Sequence, residues 1–237
     1  MLGFGFWDPT YIWLVMIPTT LLMMAAQLWV SSTYRRWSQQ PNTYNIPGEE
    51  AARRLLQANG LSDISIQPAR GQLSDHYDPR DQSLHLSQGV AQVPSIASLA
   101  IVAHEIGHAV QHRDGYVPMR IRAALVPAAN IGSYLGWILI AIGLALNSLD
   151  LAWLGVLAMS SGVVFALATL PVELNASARA RVLLNDSGLV TSDAERRGVS
   201  AVLNAAAFTY VAGLATAVIQ LLYFVSLVAG LGGRRRS

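Results

Sequence analysis

The sequence predicts a mainly α membrane protein: four transmembrane helices and one polar, membrane-apposed region that carries a HExxH helix and a small β-sheet. Three observations lead there. The 237 residues are 53% hydrophobic and only 13% charged, against about 25% charge in a soluble domain. No Asp, Glu or Arg occurs in four stretches of 26, 27, 22 and 36 residues, bounded by Asp8 and Arg35, Arg122 and Asp150, Asp150 and Glu173, and Arg197 and Arg234. All five histidines and more than half of the acids fall instead between residues 31 and 122.

Each charge-free stretch exceeds the roughly 20 apolar residues that cross a bilayer, and a charge at the bilayer centre costs about 2.5–3.5 kcal/mol. A chain this short cannot bury so much apolar surface in a soluble core. Spans are expected near 10–30, 125–147, 151–170 and 209–231. Pro18 and Pro127 fall inside the first two, where neighbouring helices re-satisfy freed backbone groups. Gly132 and Gly136, and then Gly155, Gly162, Ser160 and Ser161, predict close helix contact. Trp7, Trp29, Trp37 and Trp153 fall near span ends, as an interfacial aromatic belt would. The first span reads as an anchor, since no basic segment precedes it and Arg35-Arg36 follow.

The organisation follows from these spans. Residues 1–30 are a leader and the first span, and 31–122 the polar region. Residues 123–170 form a transmembrane hairpin, 171–208 hold a helix beginning at Pro171 and a following helix, and 209–237 the fourth span and a basic tail. Nine arginines lie between the first two spans and four between the last two, which places both polar segments on the cytoplasmic side of a multi-pass cytoplasmic-membrane protein. The Arg234-Arg235-Arg236 tail runs against that count. The chain has no cysteine and no lysine, which excludes disulfides, thiol chemistry and a Schiff-base lysine. The arginines are dispersed rather than striped, so no nucleic-acid partner is expected.

Within the polar region, Pro47-Gly48-Glu49-Glu50, later Arg53-Arg54 and a closing Asn59-Gly60 predict a short helix with acids first and bases later. Leu61–Gln67 and Leu84–Leu86 alternate as strands, with turn chemistry at Asp78-Pro79-Arg80-Asp81. Ser95 is expected to cap a helix that runs to Asp114-Gly115. That helix contains His104-Glu105-Ile106-Gly107-His108. At helical spacing both imidazoles share one face one turn apart, suited to a single Zn²⁺, and Glu105 stands beside the ion as a proton acceptor. Chance recurrence of this pattern at this composition is on the order of 0.2%.

A catalytic zinc needs a third protein ligand. His112 lies two turns beyond His104 but is rotated by about 80°, so it reads as a solvent-facing helix-end residue. A metzincin-type continuation would need Gly and His where the chain has Gln111 and Asp114. Glu173 is the better candidate: it directly follows the third span and is the only acid between Asp150 and Asp186. With it, the polar region becomes a zincin-like catalytic region with a His₂Glu centre. The Asp75-His76-Tyr77-Asp78 segment has two readings. Either His76 or Tyr77 stabilises an oxyanion while the Leu84–Leu86 strand pairs with an extended substrate, or the segment is a turn in which Asp75 and Asp78 cap backbone amides.

The chain resembles the bacterial YugP-type membrane zinc metallopeptidases. The resemblance rests on Asp8-Pro9-Thr10-Tyr11, Asp75–Arg80, Ala103–Ala109, Leu125–Ser133, Pro171–Ser177 and Ala206–Tyr210. It implies a neutral zinc peptidase of the bacterial cytoplasmic membrane, with Zn²⁺ as cofactor and the lipid bilayer and a protein or peptide substrate as partners. A more distant similarity to HtpX-type membrane gluzincins implies Glu173 as the Glu of a Glu-x-x-x-Asp motif. Ser177 stands where the Asp would be, which leaves Asn175 or Ser177 to orient His104 or Glu173. The competing expectations are a site-2-type intramembrane protease, disfavoured by the short apolar stretch before His104, and a zinc-stabilised membrane scaffold without catalysis.

Overall fold

The structure, a computed structural model, describes residues 9–234, with side chains through Gly230. Trp7 and Asp8 of the expected leader and the side chains of the Arg234–Arg236 tail lie outside the described residues. In chain order the elements are helix α1 (Pro9–Ser38), helix α2 (Gly48–Ala58), strands β1 (Ser65–Ala69), β2 (His76–Asp78) and β3 (Ser83–Ser87), the short helix α3 (Gln88–Ala91), and helices α4 (Ile96–Arg113), α5 (Val117–Ala145), α6 (Leu149–Asp186) and α7 (Asp193–Arg234). Among the described residues, α1, α5, α6 and α7 are long and apolar enough to cross a membrane, as the charge gaps predict.

All four helices outrun the expected spans, the last two by the most. Pro171 does not begin a helix; it lies inside α6, which continues to Asp186. A proline removes one backbone bond, and a helix already nucleated by the long apolar run before it propagates through that loss. The last helix likewise starts at Asp193 rather than near 209. In α1, the π-helical turn Ile12–Met16 sits just before Pro18, where the ring displaces the ordinary ladder.

The chain divides into two compact units. The first is drawn from the described parts of Met1–Ala26, Arg120–Leu170 and Thr209–Ser237. Small residues bring α5 and α6 together. A Cβ on Gly155 would lie 2.7 Å from the Ile140 nitrogen and 2.8 Å from the Gly136 carbonyl oxygen, a backbone approach that only glycine permits. Ile140, Ala152, Val156, Met159, Phe224 and Val228 form the buried cluster, with Tyr11, Trp137 and Phe224 in edge and tilted ring contacts. Leu135, Ile138, Leu154 and Leu157 are exposed, apolar surface suited to lipid.

The second unit comprises Gln27–Met119 and Pro171–Phe208. Its core surrounds α4, whose Leu99, Val102, Ala103 and Ile106 are fully buried. Ser95 caps α4 as expected, its Oγ accepting the Ser98 N–H at 3.0 Å. The three strands are ordered β1-β3-β2, with β1 parallel and β2 antiparallel to β3. The segment holding Leu84–Leu86 is therefore the centre of the sheet, paired on both sides, and cannot accept a substrate strand. The expected strand at Leu61–Gln67 begins only at Ser65, because the Leu61 N–H closes α2 on Leu56. Trp37 is not a belt residue: it packs on this core, against Gly198, whereas Trp29 and Trp153 are exposed.

The start of α7 is pinned by a capping box. Ser192 Oγ accepts the Glu195 N–H and Glu195 Oε2 accepts the Ser192 N–H, at 3.2 and 3.1 Å. Glu195 Oε1 also accepts the Thr43 N–H at 2.8 Å, tying the loop after α1 to α7.

Candidate metal centre

Helix α4 presents His104 and His108 one turn apart, their ring centroids 4.9 Å apart and nearly perpendicular. Glu173 reaches them from α6. Its Oε2 lies 3.4 Å from His104 Nε2 and 3.5 Å from His108 Nε2, and one donor atom from each residue lies within 4.8 Å of the others. Gly107 makes this approach possible, because a Cβ there would stand 2.7 Å from the Ala176 carbonyl oxygen on α6.

The residues fit a divalent ion. Glu173 is 2% exposed, and its Oε2 accepts no hydrogen bond. A buried carboxylate oxygen left so is costly unless a cation neutralises it. Two imidazole nitrogens and one carboxylate oxygen are the donor types of open zinc sites, and a tetrahedral ion with bonds of about 2.0–2.1 Å holds its ligands about 3.3–3.4 Å apart. The observed 3.4 and 3.5 Å match that spacing.

Glu105 stands next in sequence to His104, and its Oε2 accepts the Tyr77 backbone N–H from β2 at 3.1 Å. Burial raises its carboxyl above the ordinary range, with His104, His108 and the Tyr77 amide pulling the other way. His112 is exposed and lies outside the group, as expected, but it is not idle: its Nδ1 meets the Tyr77 hydroxyl at 2.9 Å. The Tyr77 phenol is thus engaged with the far end of α4. The His76 ring is exposed and lies flat on His85, at 4.5 Å and 2°. Asp75 caps Ser87, accepting its N–H at 2.7 Å and its hydroxyl at 3.0 Å, and Asp78 accepts the Arg80 N–H. The turn reading of this segment holds for both acids, although residues 76–78 form a strand as well.

Ser177, in the position that the gluzincin pattern gives to Asp, places Oγ 3.3 Å from His104 Nδ1. Asn175 makes no side-chain hydrogen bond to His104 or Glu173; its Oδ1 accepts from Arg179 Nε and Gln111 Nε2. Gln111 is the residue that sequence reasoning missed. It is fully buried, and its Oε1 is 3.0 Å from His108 Nδ1. The available signal was a long amide three residues after His108, hence on the same helix face.

Fold and site together define a polytopic membrane protein with a His₂-carboxylate cluster beside a half-buried glutamate. The family described as "Putative neutral zinc metallopeptidase" matches residues 12–229, and the chain belongs to that family. It is similar to "Putative membrane protease YugP" of Bacillus subtilis (strain 168), 40% identical over 209 residues, which cover 88% of this chain and 92% of the relative. No solved structure matches the chain.

Proposed function

We propose that the chain is a membrane-anchored, zinc-dependent metalloendopeptidase that hydrolyses membrane-associated or unfolded proteins at the cytoplasmic membrane surface. The observation that carries this reading is the convergence of His104 and His108 with Glu173, beside Glu105. His104, His108 and Glu173 would hold Zn²⁺. When bound, zinc polarises the peptide carbonyl and brings the pKa of a water to about 7. Glu105 takes the proton of the attacking water and returns it to the leaving amine. Burial, which raises its carboxyl above the ordinary range, favours the protonated form that the return step needs.

The strand β2, at the edge of the sheet, delivers the N–H that orients Glu105. The engaged Tyr77 phenol and the stacked His76 ring support a role in holding β2, rather than oxyanion donation by either side chain. Membrane-proximal substrates are supported by the sequence itself, since Glu173 follows a charge-free stretch of 22 residues. The arginine distribution supports a cytoplasmic site.

The test uses the full chain in detergent micelles with unfolded casein and a compact folded protein as substrates. Casein cleavage that a chelator abolishes and added zinc restores is expected, with the folded protein resistant. Efficient cleavage of the folded protein counts against the substrate class, and chelator-insensitive cleavage against the metal.

A further inference from the structure

Gln111 joins the two elements that carry the metal-ligand candidates. It sits on α4, one turn after His108, and reaches across to α6 on either side of Glu173. Its Nε2 donates to the Val172 carbonyl oxygen at 2.8 Å and to Asn175 Oδ1 at 2.9 Å, while its Oε1 lies 3.0 Å from His108 Nδ1. Val172 and Asn175 flank Glu173 by one and two residues. A fully buried glutamine with three good partners is a costly group to place in a core unless its bonds matter.

The direction of every bond in this chain follows from its outer end. Arginine donates only, so the atom of Asn175 that meets Arg179 Nε at 2.9 Å is its oxygen. That oxygen, like the Val172 carbonyl, can only accept. The amide nitrogen of Gln111 must therefore face α6, and its oxygen must face His108. The neutral His108 imidazole then carries its proton on Nδ1 and leaves Nε2 bare, and Nε2 is the nitrogen that faces Glu173 Oε2. Arg179 is itself anchored by Asp114 Oδ2 at 2.7 Å. The tautomer of the half-buried His108 imidazole is thus set by an ion pair at the end of α4.

We infer that Gln111 is the positioning residue of the metal centre: it fixes the His108 tautomer and at the same time locks the α6 turn that presents Glu173. It touches neither substrate nor ion. The inference rests on the His104–His108–Glu173 reading, and outer-shell partners of this kind are worth about 10–100-fold in metal affinity.

The experiment compares the full chain with Gln111→Met, which keeps the volume and removes all three bonds, and Gln111→Glu, which keeps only the acceptor for His108. Zinc dissociation constants come from chelator competition in micelles, and the ligand field from the visible spectrum of the cobalt-substituted protein. The Met variant is expected to bind zinc about 10–100-fold more weakly with an altered cobalt spectrum, and the Glu variant to fall between it and wild type. A folded Met variant with wild-type affinity and spectrum overturns the inference. Should the Met variant not fold, the Glu variant decides: weakening of a few-fold supports the inference, and wild-type binding overturns it. Wild-type protein that takes up neither metal overturns instead the metal-centre reading on which the inference stands.

Discussion

Gly107 and Ala176 bring the helix of His104 and His108 into backbone contact with the helix of Glu173: a Cβ on Gly107 would lie 2.7 Å from the Ala176 carbonyl oxygen and 3.3 Å from its Cα. Ala176 is one helical turn beyond Glu173, so the gap between α4 and α6 sets the distance of the carboxylate from both imidazoles. Gly107→Ala must push that backbone aside. We expect a loss of about 1–3 kcal/mol of stability from overpacking, together with weakened zinc binding. Thermal unfolding and zinc titration of the variant check both, and unchanged values in both contradict the spacing role.

Tyr77 contributes through two different atoms. Its backbone N–H orients Glu105 and its hydroxyl meets His112. Tyr77→Phe keeps the first and loses the second. Removing an oxyanion donor costs about 10²–10³ in kcat, so a fall of less than about tenfold in casein cleavage is expected if the phenol only braces β2 against α4. A loss of 10²-fold or more would restore Tyr77 as an oxyanion donor.

Zinc binding should weaken on acidification, and His108 gives the sign. Burial opposes its protonation, but the Glu173 carboxylate, Glu105 and the Gln111 amide oxygen together outweigh that, so its pKa in the metal-free site is raised above the usual value. Zinc takes only the neutral imidazole, so binding must displace that proton. The apparent dissociation constant is expected to stay level at alkaline pH. It should then rise by up to about tenfold per pH unit for each proton displaced, beginning above the pKa of a free histidine. Zinc titrations between about pH 5 and 8 test this, and a flat profile would exclude it.

Glu195 is a structural rather than a chemical carboxylate. It is buried and accepts the N–H groups of Thr43, Thr191 and Ser192. Glu195→Ala strands these donors and should cost about 1–3 kcal/mol, with zinc affinity unchanged. Thermal unfolding and zinc titration of that variant separate the two effects.

The spans and the α4 helix were readable because strong local physics sets them. A charge in hydrocarbon is expensive wherever it falls, and Ser95 and the His104–His108 spacing act within a turn or two. Glu173 stood out because it is the only acid between Asp150 and Asp186 and directly follows an apolar span. What escaped notice depends on contacts distant in sequence. Pro171 reads locally as a helix start, yet the helix before it carries through. The strand containing Leu84 reads as a possible edge, and only its pairing with both β1 and β2 reveals it as central. Gln111 looks like any polar residue near a helix end until Val172 and Asn175, some sixty residues further along, are seen to meet it.

The most direct measurement is zinc content and casein cleavage for wild type and Glu105→Gln, both purified as the full chain. Glu105 is assigned to proton transfer and not to ligation, so the variant should retain wild-type zinc and lose nearly all hydrolysis. Zinc lost along with activity would make Glu105 a ligand or a structural support. Cleavage that persists in Glu105→Gln would contradict the account outright.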